Sequence, residues 1–119
     1  METGTAGSRT YRVTVRGRFQ GLTDAAQAHL RAHLAEHDVF LSRFSGEGSL
    51  SYDHRLDFFN LRYEVRLDDG GGTERAAEVA LTEATAFLRT LRLGHGELRS
   101  EVMDLQAMTD HRRARRRPR

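Results

Sequence analysis

Five ionisable side chains fall within six residues at Tyr52, Asp53, His54, Arg55 and Asp57. A carboxylate close to an imidazole tunes a general base, and a phenol can serve as the acid, so acid–base catalysis is the chemistry this cluster offers. Polar clusters of the same kind also make ordinary solvated hairpin tips. A second group lies further along the chain. Arg62 and Glu64 are two residues apart and share a strand face, with Phe58 and Asn60 on the same side. Arg12, Arg16 and Arg18 alternate in the same way on a strand expected to be its neighbour. Arginines projecting from a sheet can bind a carboxylate or phosphate, with Glu64 as the acid–base group and Phe58 as an apolar wall. The plainer reading is a ladder of charges on an exposed face, worth about a few tenths of a kcal/mol per pair.

Other patterns carry less. His29, His33 and His37 recur every four residues and share one helix face, a spacing that can chelate a metal. No glutamate stands at the spacing of a zinc protease and no further ligand is evident, so they read as boundary residues beside Leu30 and Leu34, and no metal site is assigned. Gly94-His95-Gly96 opens like a dinucleotide fingerprint, but it follows a helix and lacks the third glycine. Six arginines crowd the last eight positions, from Arg112 to Arg119. Such a tail attracts polyanions through counterion release, yet has no interleaved aromatics for base stacking. Nucleic-acid association is therefore expected to be nonspecific and confined to the tail.

The elements that would position these groups follow from periodicity. Strict alternation from Thr10 to Phe19 predicts a half-buried strand, with Tyr11, Val13, Val15 and Phe19 inward. Thr23 is a natural N-cap, and Ala26, Leu30 and Leu34 carry a helix to about His37. Val39 to Ser45 and Leu50 to Tyr52 read as β segments separated by Gly46-Glu47-Gly48. Phe59 to Leu67 alternates most clearly of all. After the glycine run 70–72, Thr73 is expected to cap a helix with Ala77, Ala80, Leu81, Ala84, Phe87, Leu88 and Leu91 along its apolar stripe, ending at Gly94. A last strand runs from Leu98 to about Met108. The order β-α-β-β-α-β predicts an α+β fold, a ferredoxin-like sandwich with both helices on one face of an antiparallel sheet. The domain would span 10–108, between a disordered leader at 1–9 and a disordered basic tail at 109–119.

Composition narrows the chemistry. The 119 residues allow one small domain, and no apolar run approaches a membrane span. The net charge of +2 divides into 13 arginines against 17 acids over 1–111, a net of −4, and a +6 tail. There is no cysteine, and all 19 basic residues are arginine. Disulfides, thiolate chemistry, lysine Schiff bases and a P-loop are thereby excluded. The absence of lysine and isoleucine, with a single Asn60, fits a GC-rich bacterial genome. Residues 1–8 have neither the basic nor the apolar region of a secretory signal, so a cytoplasmic location is expected.

Residues 11–19, Gly21-Leu22-Thr23, His37-Asp38-Val39, Gly48 with Leu50 and Tyr52-Asp53, Phe58-Phe59 and Arg62-Tyr63 resemble a family of small single-domain actinobacterial proteins of unknown function. The resemblance covers about 10–108 and leaves out the tail. It implies no catalytic residues. The expectation is a protein that binds a small, anionic molecule through Arg62, Phe58, Asn60, Arg16 and His37, a homodimer through the sheet and without a cofactor. As an enzyme it would be an acid–base catalyst of isomerisation, cyclisation or condensation in secondary metabolism, using Glu64, Tyr52 and Asp53. The alternative is a binding or regulatory module without catalysis.

Overall fold

The computed structural model describes residues 9–37, 43–68 and 71–106. Alternation sets its two long strands, β1 (Arg9–Arg18) and β3 (Phe58–Leu67), each burying every second side chain. They pair antiparallel, with Arg12 opposite Glu64, Thr14 opposite Arg62, Arg16 opposite Asn60 and Arg18 opposite Phe58. A short strand β2 (Ser49–Tyr52) lies antiparallel on the far side of β3, and β4 (Arg99–Asp104) lies antiparallel on the far side of β1. The result is an α+β fold with a four-stranded antiparallel sheet in the order β2-β3-β1-β4.

Both helices pack on the face that carries Tyr11, Val13, Val15, Phe59, Leu61 and Tyr63. Helix α2 (Gly72–Thr90) buries Ala76, Ala80, Ala84 and Leu88 completely. These recur every four residues, and three alanines in that row let the helix axis approach the sheet closely. The expected stripe is thus rotated slightly: Ala77 and Leu81 flank the contact, and Leu91 is 44% exposed. Helix α1 (Asp24–Ala32) buries Leu30, and its first turn is capped as expected by Thr23, whose hydroxyl accepts the Ala26 N–H at 3.1 Å.

Several boundaries depart from the sequence reading. Helix α1 stops at Ala32, and Leu34–His37 form a 3-10 turn in which the Glu36 N–H donates to the His33 carbonyl. Of the strand expected at Val39 to Ser45, residues 39–42 lie outside the described residues. Ser45 makes an isolated parallel bridge to Tyr63, and its carbonyl accepts the Glu64 N–H at 2.8 Å. Gly48 is required next: its φ is +91°, and a Cβ there would collide with the Tyr63 ring. Thr73 does not cap α2, which begins a residue earlier at Gly72 with Gly71 in the cap position and no side-chain cap. Gly94 does not end it either. Arg92 takes the left-handed conformation at φ 56°, and the Leu93 N–H returns to the Leu88 carbonyl at 2.9 Å so that Leu93 enters the core. Gly94 is needed for space, since a Cβ would strike the Gln20 carbonyl. The last strand ends at Asp104, where pairing with β1 reaches Tyr11. Residues 1–8 and 107–119, with most of the expected leader and tail, lie outside the described residues. No described helix is long and apolar enough to cross a membrane.

Candidate functional site

With both helices on one face, no described element covers the other face of the sheet. Register places on it Arg12, Thr14, Arg16 and Arg18 from β1, Phe58, Asn60, Arg62, Glu64 and Arg66 from β3, and Arg99, Glu101 and Met103 from β4. At one end of this face lies a groove of about 760 Å³. Its walls are Arg16 and Arg18 on β1, Phe58 and Asn60 on β3, Arg99 and Glu101 on β4, and Glu97 just before β4. Gly96 and Gln20 close the end. They are held by the antiparallel bridge between Phe19 and His95, by the Gln20 N–H to the Gly94 carbonyl at 2.8 Å, and by the Gly96 N–H to the Arg18 carbonyl at 3.0 Å. The Gly94-His95-Gly96 segment, discounted as a fingerprint, is therefore a structural border of the groove.

The electrostatics are lopsided. Arg16 and Arg99 stand directly opposite each other on adjacent strands. Like charges in that position repel unless a counterion lies between or beside them. Glu101 supplies one, with its carboxylate 3.1 Å from the Arg16 guanidinium, in a pair that is well exposed. Arg99 makes no ion pair among the described residues. Arg18 lies over the Phe58 ring at 4.9 Å from its centroid, a cation–π contact that helps to hold an exposed guanidinium at the groove. Phe58 itself is 56% exposed, unusual for so large an apolar side chain and consistent with a stacking surface.

Of the residues expected to bind a ligand, Arg16, Phe58 and Asn60 come together in this groove. Arg62 shares the open face but lies further along β3, over the Phe44 ring at 5.6 Å. The His37 side chain lies outside the described residues. The three residues expected to supply acid–base chemistry are not brought together. Glu64 is exposed on the open face opposite Arg12, beyond the groove. Tyr52 points to the helix side, where its hydroxyl donates to the Leu30 carbonyl and its ring borders a separate cleft of about 520 Å³ between α1 and the end of α2. Burial, with a smaller contribution from the negative charge of Glu36, raises its pKa above the usual tyrosine value. The Asp53 carboxylate accepts the N–H groups of Asp57 at 3.0 Å and Phe58 at 3.4 Å, which shapes the hairpin into β3. Leu56 in that hairpin adopts φ 59° with its side chain buried.

No group of three or more metal-ligating side chains is found among the described residues, and the His37 side chain lies outside them. His29 and His33 stack with ring centroids 4.5 Å apart, and His33 Nδ1 lies 2.7 Å from a Glu36 carboxylate oxygen. The sequence reading did not include Arg99, Glu101 or Phe44 in a site. For the first two the signal was present, in the alternation of Arg99, Glu101 and Met103 against Ser100, Val102 and Asp104.

A family described as Family of unknown function (DUF6204) matches residues 1–116. The match runs past the expected 10–108 at both ends and takes in Arg112, Arg113, Arg115 and Arg116, which the sequence reading had placed outside the family pattern. No curated protein and no solved structure matches the chain.

Proposed function

We propose, for a chain that belongs to this family of unknown function, that the groove on the open sheet face binds a small organic anion. The observation that carries this reading is the facing pair Arg16 and Arg99, with Arg18 beside them, against two acids in the wall, of which Glu101 pairs with Arg16. A carboxylate or phosphate between these guanidiniums would relieve their repulsion and accept two or more charge-assisted hydrogen bonds. Phe58 would cover an apolar or aromatic portion of the ligand, and the Asn60 amide would offer it a donor and an acceptor. The strand order β2-β3-β1-β4 supports reading the scaffold as a ferredoxin-like sandwich, whose uncovered face is this surface.

The reading is one of binding rather than turnover. Glu64, Tyr52 and Asp53 occupy three separate places, and Tyr52 and Asp53 are engaged in holding the fold. The test is an amide NMR titration with inorganic pyrophosphate and with benzoate. Saturable shifts centred on Arg16, Phe58, Asn60 and Arg99 are expected, and Arg99→Ala should abolish them. Shifts that are absent, or that are scattered over the surface and unaffected by Arg99→Ala, would overturn the reading.

A further inference from the structure

The charge of the folded domain is segregated. The open face holds six arginines (Arg12, Arg16, Arg18, Arg62, Arg66 and Arg99) against three acids, Glu64, Glu101 and Glu97 in the groove wall, a net of +3. The other described residues then have seven arginines against ten acids, a net of −3. A basic face on an acidic body directs a polyanion to one side of the molecule. It also opposes two-fold pairing of the sheet with a second copy, which would press +3 against +3.

The basic face also carries two arginine–aromatic stacks. Phe58 lies under Arg18 at 4.9 Å. Phe44, brought to the face by the bridge of Ser45 to β3, has the guanidinium of Arg12 at 5.3 Å and that of Arg62 at 5.6 Å from its ring centroid. Four to six residues along the strands separate the two sites, or about 13–20 Å. Between them stand Thr14, Arg16 and Asn60, which are polar or cationic. Aromatic rings repeated along a basic strip suit a ligand that repeats too, with flat bases to stack and phosphates to neutralise. A compact small anion would fill the groove and leave the Phe44 stack unused.

We infer that the open sheet face is a docking surface for single-stranded nucleic acid, one base stacking at Phe58 and another at Phe44, with the backbone tracking Arg12, Arg16, Arg18 and Arg99. The inference rests on the anion-binding reading of the groove and extends it along the sheet. It relocates the nucleic-acid contact that the sequence alone confined to the arginine tail.

Because that tail attracts any polyanion, the reference protein is the full chain with Arg112→Ser, Arg113→Ser, Arg115→Ser, Arg116→Ser, Arg117→Ser and Arg119→Ser. Fluorescence anisotropy with a labelled oligothymidylate, and with a duplex of equal length, supplies the readout. The reference protein should bind the single strand more tightly than the duplex, with log affinity falling linearly in log salt. Phe58→Ala and Phe44→Ala should each weaken binding about fivefold or more. Arg18→Glu, exposed and outside the core, should do so in a protein whose NMR spectrum remains that of the folded chain. Binding lost with the tail, or untouched by all three substitutions, overturns the inference. So does a dimer, seen by light scattering, that dissociates in Phe58→Ala, since the occupant would then be a second copy. Pyrophosphate or benzoate shifts in the groove without oligonucleotide binding would overturn this inference and leave the groove reading standing. Failure of both ligands would overturn both.

Discussion

The hydroxyl of Tyr52 on β2 donates a 2.6 Å hydrogen bond to the carbonyl oxygen of Leu30, near the end of α1. That carbonyl also receives the His33 N–H at 3.3 Å, so it gathers two donors where the helix gives way to a 3-10 turn. The bond satisfies a buried phenol and ties α1 to the edge of the sheet. Tyr52→Phe should therefore cost about 1 kcal/mol in urea unfolding. The pyrophosphate titration of the groove should be unchanged, because Tyr52 lies on the opposite side of the sheet. A substitution that spares stability and abolishes groove binding would contradict the tethering role.

Gly17 is the small member of the inward row Tyr11, Val13, Val15, Gly17 and Phe19, and Phe59 stands directly opposite it. The Phe59 ring fills the space that a side chain would need: a Cβ at Gly17 would lie 2.6 Å from the end of that ring and 2.9 Å from a Leu98 methyl. Gly17→Ala should destabilise the protein by about 1–3 kcal/mol through overpacking. It should also broaden or shift the Phe59 ring resonances. Wild-type stability in this variant would show that the ring can move aside freely.

How much of this was legible depends on whether one strand settles its own environment. Residues 11–19 and 59–67 alternate because each strand is buried on one side, and the order and inward residues could be read directly. The segment before Tyr52 could not be read so. Ser45 bridges β3 singly, and Phe44 reaches the open face through that bridge, a placement no local period announces. Arg99 and Glu101 had a visible alternation, but their place beside Arg16 depends on the register of β4 on β1, a long-range pairing. Gly94 and Arg92 show the same limit. The left-handed residue falls at Arg92 because Leu93 must return to the core, while Gly94 answers to the Gln20 backbone, far away in sequence.

Tyr63 is buried in the core, and its hydroxyl oxygen has no hydrogen-bond partner among the described residues. Burial, and to a lesser extent the negative charge of Glu83, pushes its pKa up to about 12 from 10.0. The folded state therefore keeps this proton through a range in which the unfolded state loses it. The resulting stability is fully present below pH 10 and is lost as pH rises through about 12. An ultraviolet titration should show the Tyr63 phenolate appearing late, as a step that is missing in Tyr63→Phe, together with a fall in stability over that window. Tyr63→Phe should remove both effects and cost little stability at neutral pH, since it deletes an unsatisfied hydroxyl. A titration curve unchanged by Tyr63→Phe at high pH would refute the assignment.

Glu101 is the acid paired with Arg16, and its position gives the groove reading a signed prediction. The pair is exposed on both sides, so its contribution to folding is small, about 0–1 kcal/mol. Its effect on an incoming anion is larger, because the carboxylate occupies donors that the anion would use and adds negative charge beside it. Glu101→Gln keeps the shape, frees the Arg16 guanidinium and leaves Arg16 and Arg99 facing each other with no ion pair between them and the described residues. Pyrophosphate affinity should rise severalfold, with a steeper dependence on salt, while stability in urea stays within about 1 kcal/mol of wild type. Arg16→Ala should move affinity the opposite way, and adding Glu101→Gln to it should recover less than Glu101→Gln gains alone. Equal gains in the two backgrounds would mean that Glu101 acts only through the general field of the face, and a fall in affinity on Glu101→Gln would mean that the carboxylate orients Arg16 for the ligand instead of competing with it.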